Sequence, residues 1–474
     1  MSARVIRRLV PLLVAVGLVS TVSVGQRFTE RTTQQRVEVA GERTVTDEIT
    51  EPGADEMTVS GGDDRAGAVA RVPSRPGLAC ARGRNGDETD TGVTGDRIRL
   101  AATVVKSGVG ASFLKEVPIA LEAVVNQVNR DGGICGRLLD LKMVDDGWDA
   151  ARGQQFIRNF ISEGVFALAV SPSSEGLDAA IRNGDIARAG IPVVGADGML
   201  ISQYTEGWVW PVAASTITAM HVMAKQAADR GAKTFGLVFE KDYHFGVEGA
   251  SAFRGALQRT FPGTKVMLAD VGIESGQPSY KNAVDEFNRA CSPCDFVGML
   301  LEPATALQWI RDGGSFGAMG TGGPQPLFVD SFARACGSSC NGMWVWSGYK
   351  PPVAPFDAEP AVVRYVNTIR AQKSTVDTSN PFVEGGYLGM QVLVEGLRRV
   401  GPDLTRARLR AELDAMRLDI GLTKVLRWAP GNHFANDAVH AFSIVVNAGS
   451  FAGWRYEQTG WIRDPWVGMD APRR

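Results

Sequence analysis

Residues 98–146 decide how this chain folds: IRLAATVV (98–105), then ALEAVVNQVNRDGGICGR (120–137), then the step Val144-Asp145-Asp146. Ile98 to Val105 is a β-branched strand run. Val117, Leu121, Val124, Val125 and Val128 recur at the spacing of one helix face. Gly132-Gly133 ends that helix, and Leu138 to Val144 is the next strand. Outward from this unit the alternation continues. Phe156, Ile157, Phe160 and Ile161 mark a helix, and Val165 to Val170 is a continuous apolar strand of the kind buried on both faces. Ile186 and Ala187 close a further helix before the strand Ile191 to Val194. Trp208 to Val212 interrupts the pattern, which then restarts. A helix runs through Met220, Met223 and Ala227, and strands follow at Thr234 to Glu240, Thr264 to Val271, Phe296 to Leu301 and Leu327 to Val329. Helices at 246–260, 279–290 and 304–312 separate them. Residues 344–470 hold a helix (Gly386 to Val400) and strands (Val425 to Trp428, Ala441 to Val446). That stretch is too short and uneven for a third lobe, so it is expected to complete the other two. The fold class is α/β: two Rossmann-like lobes, each with a mostly parallel sheet between helices.

The 474 residues, 44% hydrophobic and 22% charged, suit two or three folded units. A net charge of −2 with scattered arginines gives no basic field for nucleic acid or anionic lipid. Arg4, Arg7 and Arg8 precede the apolar run Leu9 to Val24, with small residues Ser23 and Gly25 at its end offering a cleavage site after Gly25. Residues 1–25 therefore read as a signal peptide, with an uncleaved membrane anchor as the other reading. Residues 26–92 are polar and poor in large apolar side chains, which suits a flexible stalk. The body is expected outside the cytoplasm, where disulfides persist. The simplest pairing of the six cysteines is Cys80–Cys135, Cys291–Cys294 and Cys336–Cys340, although other connectivities exist. A four-thiolate zinc site and a redox-active C-x2-C are the rival readings of the two close pairs. Cys291-Ser-Pro-Cys294 follows a helix and precedes a strand, the reverse of a thioredoxin-like motif.

In order along the chain, several segments resemble the branched-chain amino acid-binding proteins, the type I periplasmic solute-binding proteins of ABC importers. Ala120 to Arg137 resembles the family's first helix and its "INAxGGIxG" turn. Val144-Asp-Asp resembles the "xxDD" strand ending, and Tyr243-His-Phe-Gly the "xxYG" of the second lobe. Phe382 to Gln391 resembles the late "YxA" helix, and Leu426-Arg-Trp the return strand. The resemblance spans residues 93–466. It implies a first lobe of 93–211 plus 345–424 and a second of 212–344 plus 425–470. Crossings near Pro211, Trp344 and Thr423 would form a multi-strand hinge. It also implies a small-molecule ligand and ABC permease subunits as partners, with a tethered ligand sensor as the alternative role.

Ligands in open α/β sheets bind beyond the carboxyl ends of the strands. After Val170 comes Ser171-Pro-Ser-Ser-Glu, which resembles the serine-rich loop that holds the ligand carboxylate in the family. Ser173 or Ser174 would also cap the following helix. Asp197, in Gly195-Ala-Asp-Gly, departs from the family's small and hydroxyl residues; it would hold an amine or a sugar hydroxyl, or serve only the turn. In the second lobe Tyr243 and Phe245 would cover the ligand beside His244. Glu302 and Asp330 would accept an ammonium group. No catalytic residue, metal site or cofactor is expected. Gly231-Ala-Lys-Thr lacks the P-loop spacing, and His221, His244, His433 and His440 show no metal-ligand spacing. Asp145-Asp146 would point to opposite faces of a strand.

Overall fold

The computed structural model describes residues 85–170, 173–291 and 293–470. The signal segment 1–25 and the stalk up to residue 84 lie outside the described residues. Five strands build the first sheet: β1 (Arg97–Val104), β2 (Leu138–Asp145), β3 (Ala167–Ala169), β4 (Val193–Val194) and β5 (Val209–Trp210). They lie in the order β2-β1-β3-β4-β5, and every pairing is parallel. The second sheet begins with β6 (Thr234–Glu240), β7 (Met267–Ile273), β8 (Phe296–Leu300), β9 (Gly320–Gly323) and β10 (Trp344–Ser347). Their order, β7-β6-β8-β9-β10, repeats that of the first set, again all parallel.

The chain crosses back after β10. Helices Pro360–Gln372 and Pro381–Val400 pack on the helix Val117–Arg130 of the first sheet. A short antiparallel pair follows, β11 (Arg417–Leu418) with β12 (Leu426–Arg427). Then β13 (Ala438–Asn447) pairs antiparallel with β10, β14 (Ser450–Tyr456) pairs with β13, and β15 (Ile462–Arg463) also pairs with β13. The segment after β15 is fixed to the second sheet's helices. His221 Nδ1 lies 3.0 Å from Asp464, and its Nε2 lies 2.8 Å from Asp470, which also pairs with Arg259.

Local sequence explains these elements. The five residues that predict a helix face, Val117, Leu121, Val124, Val125 and Val128, are all buried. Every residue of β8 is buried, as a strand covered on both faces requires. The expected strand Leu327 to Val329 is a correction: a 3-10 turn covers Gln325–Leu327, and the strand is the glycine-rich β9 just before it. Glycine is a poor strand former, so propensity hides β9. Packing accounts for it. A Cβ on Gly322 would stand 2.5 Å from the Trp346 indole on the neighbouring strand. Pro324 and Pro326 lack N–H donors and stop the ladder. The helix read from Gly386 starts five residues earlier, at Pro381, where Asn380 Oδ1 accepts the Phe382 N–H at 2.9 Å. Residues 85–92, read as stalk, are tied down. The buried Arg137 side chain donates to the Asp87 carbonyl at 2.8 Å, and Thr89 donates to the Leu404 carbonyl at 2.6 Å.

Cys291–Cys294 and Cys336–Cys340 are disulfides. Cys80 of the third expected pair lies outside the described residues. Among the described residues no helix is long and apolar enough to cross a membrane.

Two features of the first lobe yield predictions. Gly195, at φ +83°, meets Gly389 of the helix Pro381–Val400; a Cβ on Gly389 would lie 2.8 Å from the Gly195 Cα. Gly389→Ala should therefore cost about 1–3 kcal/mol of stability by overpacking, read as a lowered melting temperature. Glu384 is fully buried with both carboxylate oxygens unpartnered, and burial holds its pKa well above the ordinary range. A raised acid stabilises at low pH and costs stability as pH climbs past its unfolded value. Glu384→Gln should raise the melting temperature more at about pH 8 than at about pH 5. An equal change at both would place the cost elsewhere.

Candidate functional site

The segments that follow strands of the first sheet touch those that follow strands of the second. After β1, Ser112 Oγ donates to Glu302 Oε2 at 2.8 Å, beyond β8. After β2, the Trp148 indole stacks on Tyr243, beyond β6, with centroids 4.7 Å apart. After β4, the Ile201 N–H donates to Glu248 Oε2 at 2.9 Å.

Beside these contacts lies a small cavity of about 20 Å³, bordered by residues of both sheets' flanking segments. Asp197, Met199 and Phe382 wall it from the first lobe, and Ser215, Thr216, Gln325 and Trp346 from the second. Ser215 caps the helix Thr216–Asp229, its Oγ accepting the Thr218 N–H at 3.0 Å, so the positive end of that helix borders the cavity. Asp197 is placed by the glycine contact two residues upstream, at Gly195. Its Oδ1 accepts from Gln203 Nε2 at 2.8 Å and the Met199 N–H at 3.2 Å; its Oδ2 has no partner. Burial pushes its pKa up to about 7.

Of the eight residues expected to bind ligand, the cavity gathers Asp197 alone. Ser171 lies outside the described residues. Ser173 sits at the N-cap of the helix Ser174–Arg182 without making a cap bond, so the capping expectation is corrected. Its hydroxyl packs beside Gly153 and Gly176 instead, next to Asp146. Burial raises the Asp146 carboxyl to about 6. Ser174 Oγ accepts from the Trp148 indole N–H at 2.9 Å and lies 3.8 Å from Met199 Sδ. Trp148, Tyr243, Phe113 and Phe382 form a continuous aromatic block where the serine loop would open. Phe245 is buried 6.1 Å from the Trp148 ring. Glu302 caps the helix Pro303–Arg311, accepting the Ala304 N–H at 2.8 Å and that of Thr305. Asp330 is taken by Arg334 at 2.9 Å, Trp454 at 3.0 Å and Ser379 at 3.1 Å. Sequence reasoning missed Trp148, Met199, Ser215, Gln325 and Trp346. The Ser-Thr-Ile-Thr start of a helix at 215–218 was a visible signal; the others meet only in three dimensions.

His244 stands at the contact between lobes. Its Nδ1 lies 2.9 Å from Asp178 and 3.2 Å from Glu175, both on the helix Ser174–Arg182. Hydrogen bonds to Asp178 and then Glu175 raise it to about 10. Arg182 adds a 2.6 Å pair to Asp178 and a 3.5 Å contact to Glu248. Burial lifts Glu248 to about 7.

The comparisons agree with this architecture. A possible leucine/isoleucine/valine-binding protein of Rhodopirellula baltica superposes with a TM-score of 0.64 at 18% identity, over 76% of this chain and 96% of its own. A fatty acid ABC transporter substrate-binding protein of Thermomonospora curvata gives 0.66 at 16% identity, over 81% and 96%. An ABC transporter solute-binding protein of R. palustris, in complex with benzoate, gives 0.62 at 19% identity, over 78% and 98%. At such identities these structures share the fold alone. No curated protein matches the chain in sequence. A family model described as periplasmic binding protein matches residues 97–449. With two α/β sheets of like strand order facing one cavity, the chain belongs to the periplasmic binding protein family, in its type I fold.

Proposed function

We propose that the chain is an extracytoplasmic receptor, not an enzyme, that captures a small polar solute, an amino acid or a related compound, between two lobes. It then hands the solute to the permease subunits of an ABC importer. One observation carries the reading: a cavity walled by segments of both sheets. The ABC transporter proteins among its structural neighbours support the transport role. In this reading the two sheets with their helices move as two bodies about the three crossings, and the expected boundary at 344/345 shifts past β10, which belongs whole to the second sheet. Ligand favours the closed arrangement because both bodies contribute contacts.

Closure also has a protein component. His244 and Arg182 neutralise the acids Glu175, Asp178 and Glu248 where the lobes meet. The raised His244 pKa means that its contribution is complete below the ordinary histidine value and disappears as pH rises through about 10. Half the side chain is exposed, so solvent screening keeps this term small.

A melting-temperature screen over amino acids, amides, polyamines and sugars tests the receptor reading. The bound solute should add about 2.7 kcal/mol of stability at a hundredfold excess over its Kd. Absence of any shift would end the reading. His244→Ala should weaken the same solute about twofold to fivefold and increase the radius of the empty protein in X-ray scattering. An unchanged radius would remove His244 from the contacts that favour closure.

A further inference from the structure

We propose that Asp197 makes the cavity selective for a solute bearing an ammonium group on an apolar body, with the ammonium paired to Asp197 Oδ2 and the body held by Trp346 and Phe382. The proposal rests on the receptor reading and names its solute class.

Asp197 is 8% exposed, borders the cavity, and leaves one carboxylate oxygen without a hydrogen bond. A buried carboxylate is expensive unless it is paired. Among the described residues no lysine, arginine or histidine forms an ion pair with it, and no cationic side chain lines the cavity. The charged neighbour that acts on it is Glu175, a second acid. The positive end of the helix Thr216–Asp229 is already answered by the Ser215 cap, whereas Asp197 Oδ2 has no partner, so a cation rather than an anion supplies what is missing. Apart from Ser215, Thr216 and Gln325, the rest of the wall suits an apolar body. Met199, Phe382, Pro324, Pro326 and Trp346 surround the space, and aromatic ring faces favour an ammonium.

The pH dependence follows from the same geometry. The titratable groups facing Asp197 are Glu175, Tyr204 and Tyr349. Burial holds both phenols well above their usual value, so they stay neutral around pH 7. Asp197, at about 7 in the empty cavity, must be ionised to pair with a cation. Affinity for a cation should therefore rise as pH climbs through about 7.

Isoamylamine, isovaleramide and isovalerate share one alkyl skeleton and differ in charge. Calorimetric titration of the full chain should show binding of isoamylamine and none of isovalerate. Asp197→Asn keeps an oxygen for Gln203 and Met199, so the variant should fold. It should bind the amine about 30-fold more weakly and lose the pH dependence. Three results overturn the proposal: equal affinity in the variant, a flat pH profile in the wild type, or preference for isovalerate. Binding of a sugar or carboxylate without the amine would sink this proposal and leave the receptor reading standing. No binding by any compound would sink both.

Discussion

A parallel sheet covered by helices on both faces has one place left for chemistry: the loops beyond the carboxyl ends of its strands. This chain builds two such sheets with the same strand order and sets those loops against each other. Everything specific to the protein happens in that seam. Most strands, such as β8 with no exposed residue, carry packing, and Trp346 of β10 is an exception that reaches the cavity.

The seam is largely self-satisfied. Glu302, whose position invites a ligand role, is taken by its own helix and by Ser112. Ser174 is taken by Trp148. Groups that look free in sequence, such as Glu302 and Ser174, are thus already partnered, whereas Asp197 combines an unpartnered oxygen with a place on the cavity wall. Depth matters as well. The Gly195–Gly389 contact brings a helix backbone against the loop and holds Asp197 in the interior.

Much of the fold was legible because periodicity is local. Val117, Leu121, Val124, Val125 and Val128 announce a buried helix face wherever they occur. β9 was not legible: its Gly322 leaves room for Trp346, 24 residues later in the chain, and no local pattern encodes that. The helix Arg406–Asp414 was missed for a related reason, since it buries only Leu409 and Leu413. Asp197 could be singled out as an oddity in its turn. The aromatic block of Phe113, Trp148, Tyr243 and Phe382 could not, because its members come from four distant segments.

The second sheet takes its outer strands from the far end of the polypeptide. β13 closes against β10, and residues 464 and 470 grip His221 on a helix that appears more than two hundred positions earlier. While the chain is still emerging from the ribosome, that lobe lacks its border and leaves a flank of β10 unpaired. That lobe therefore completes its folding only once residues 438–470 have been made, late relative to the strands they border.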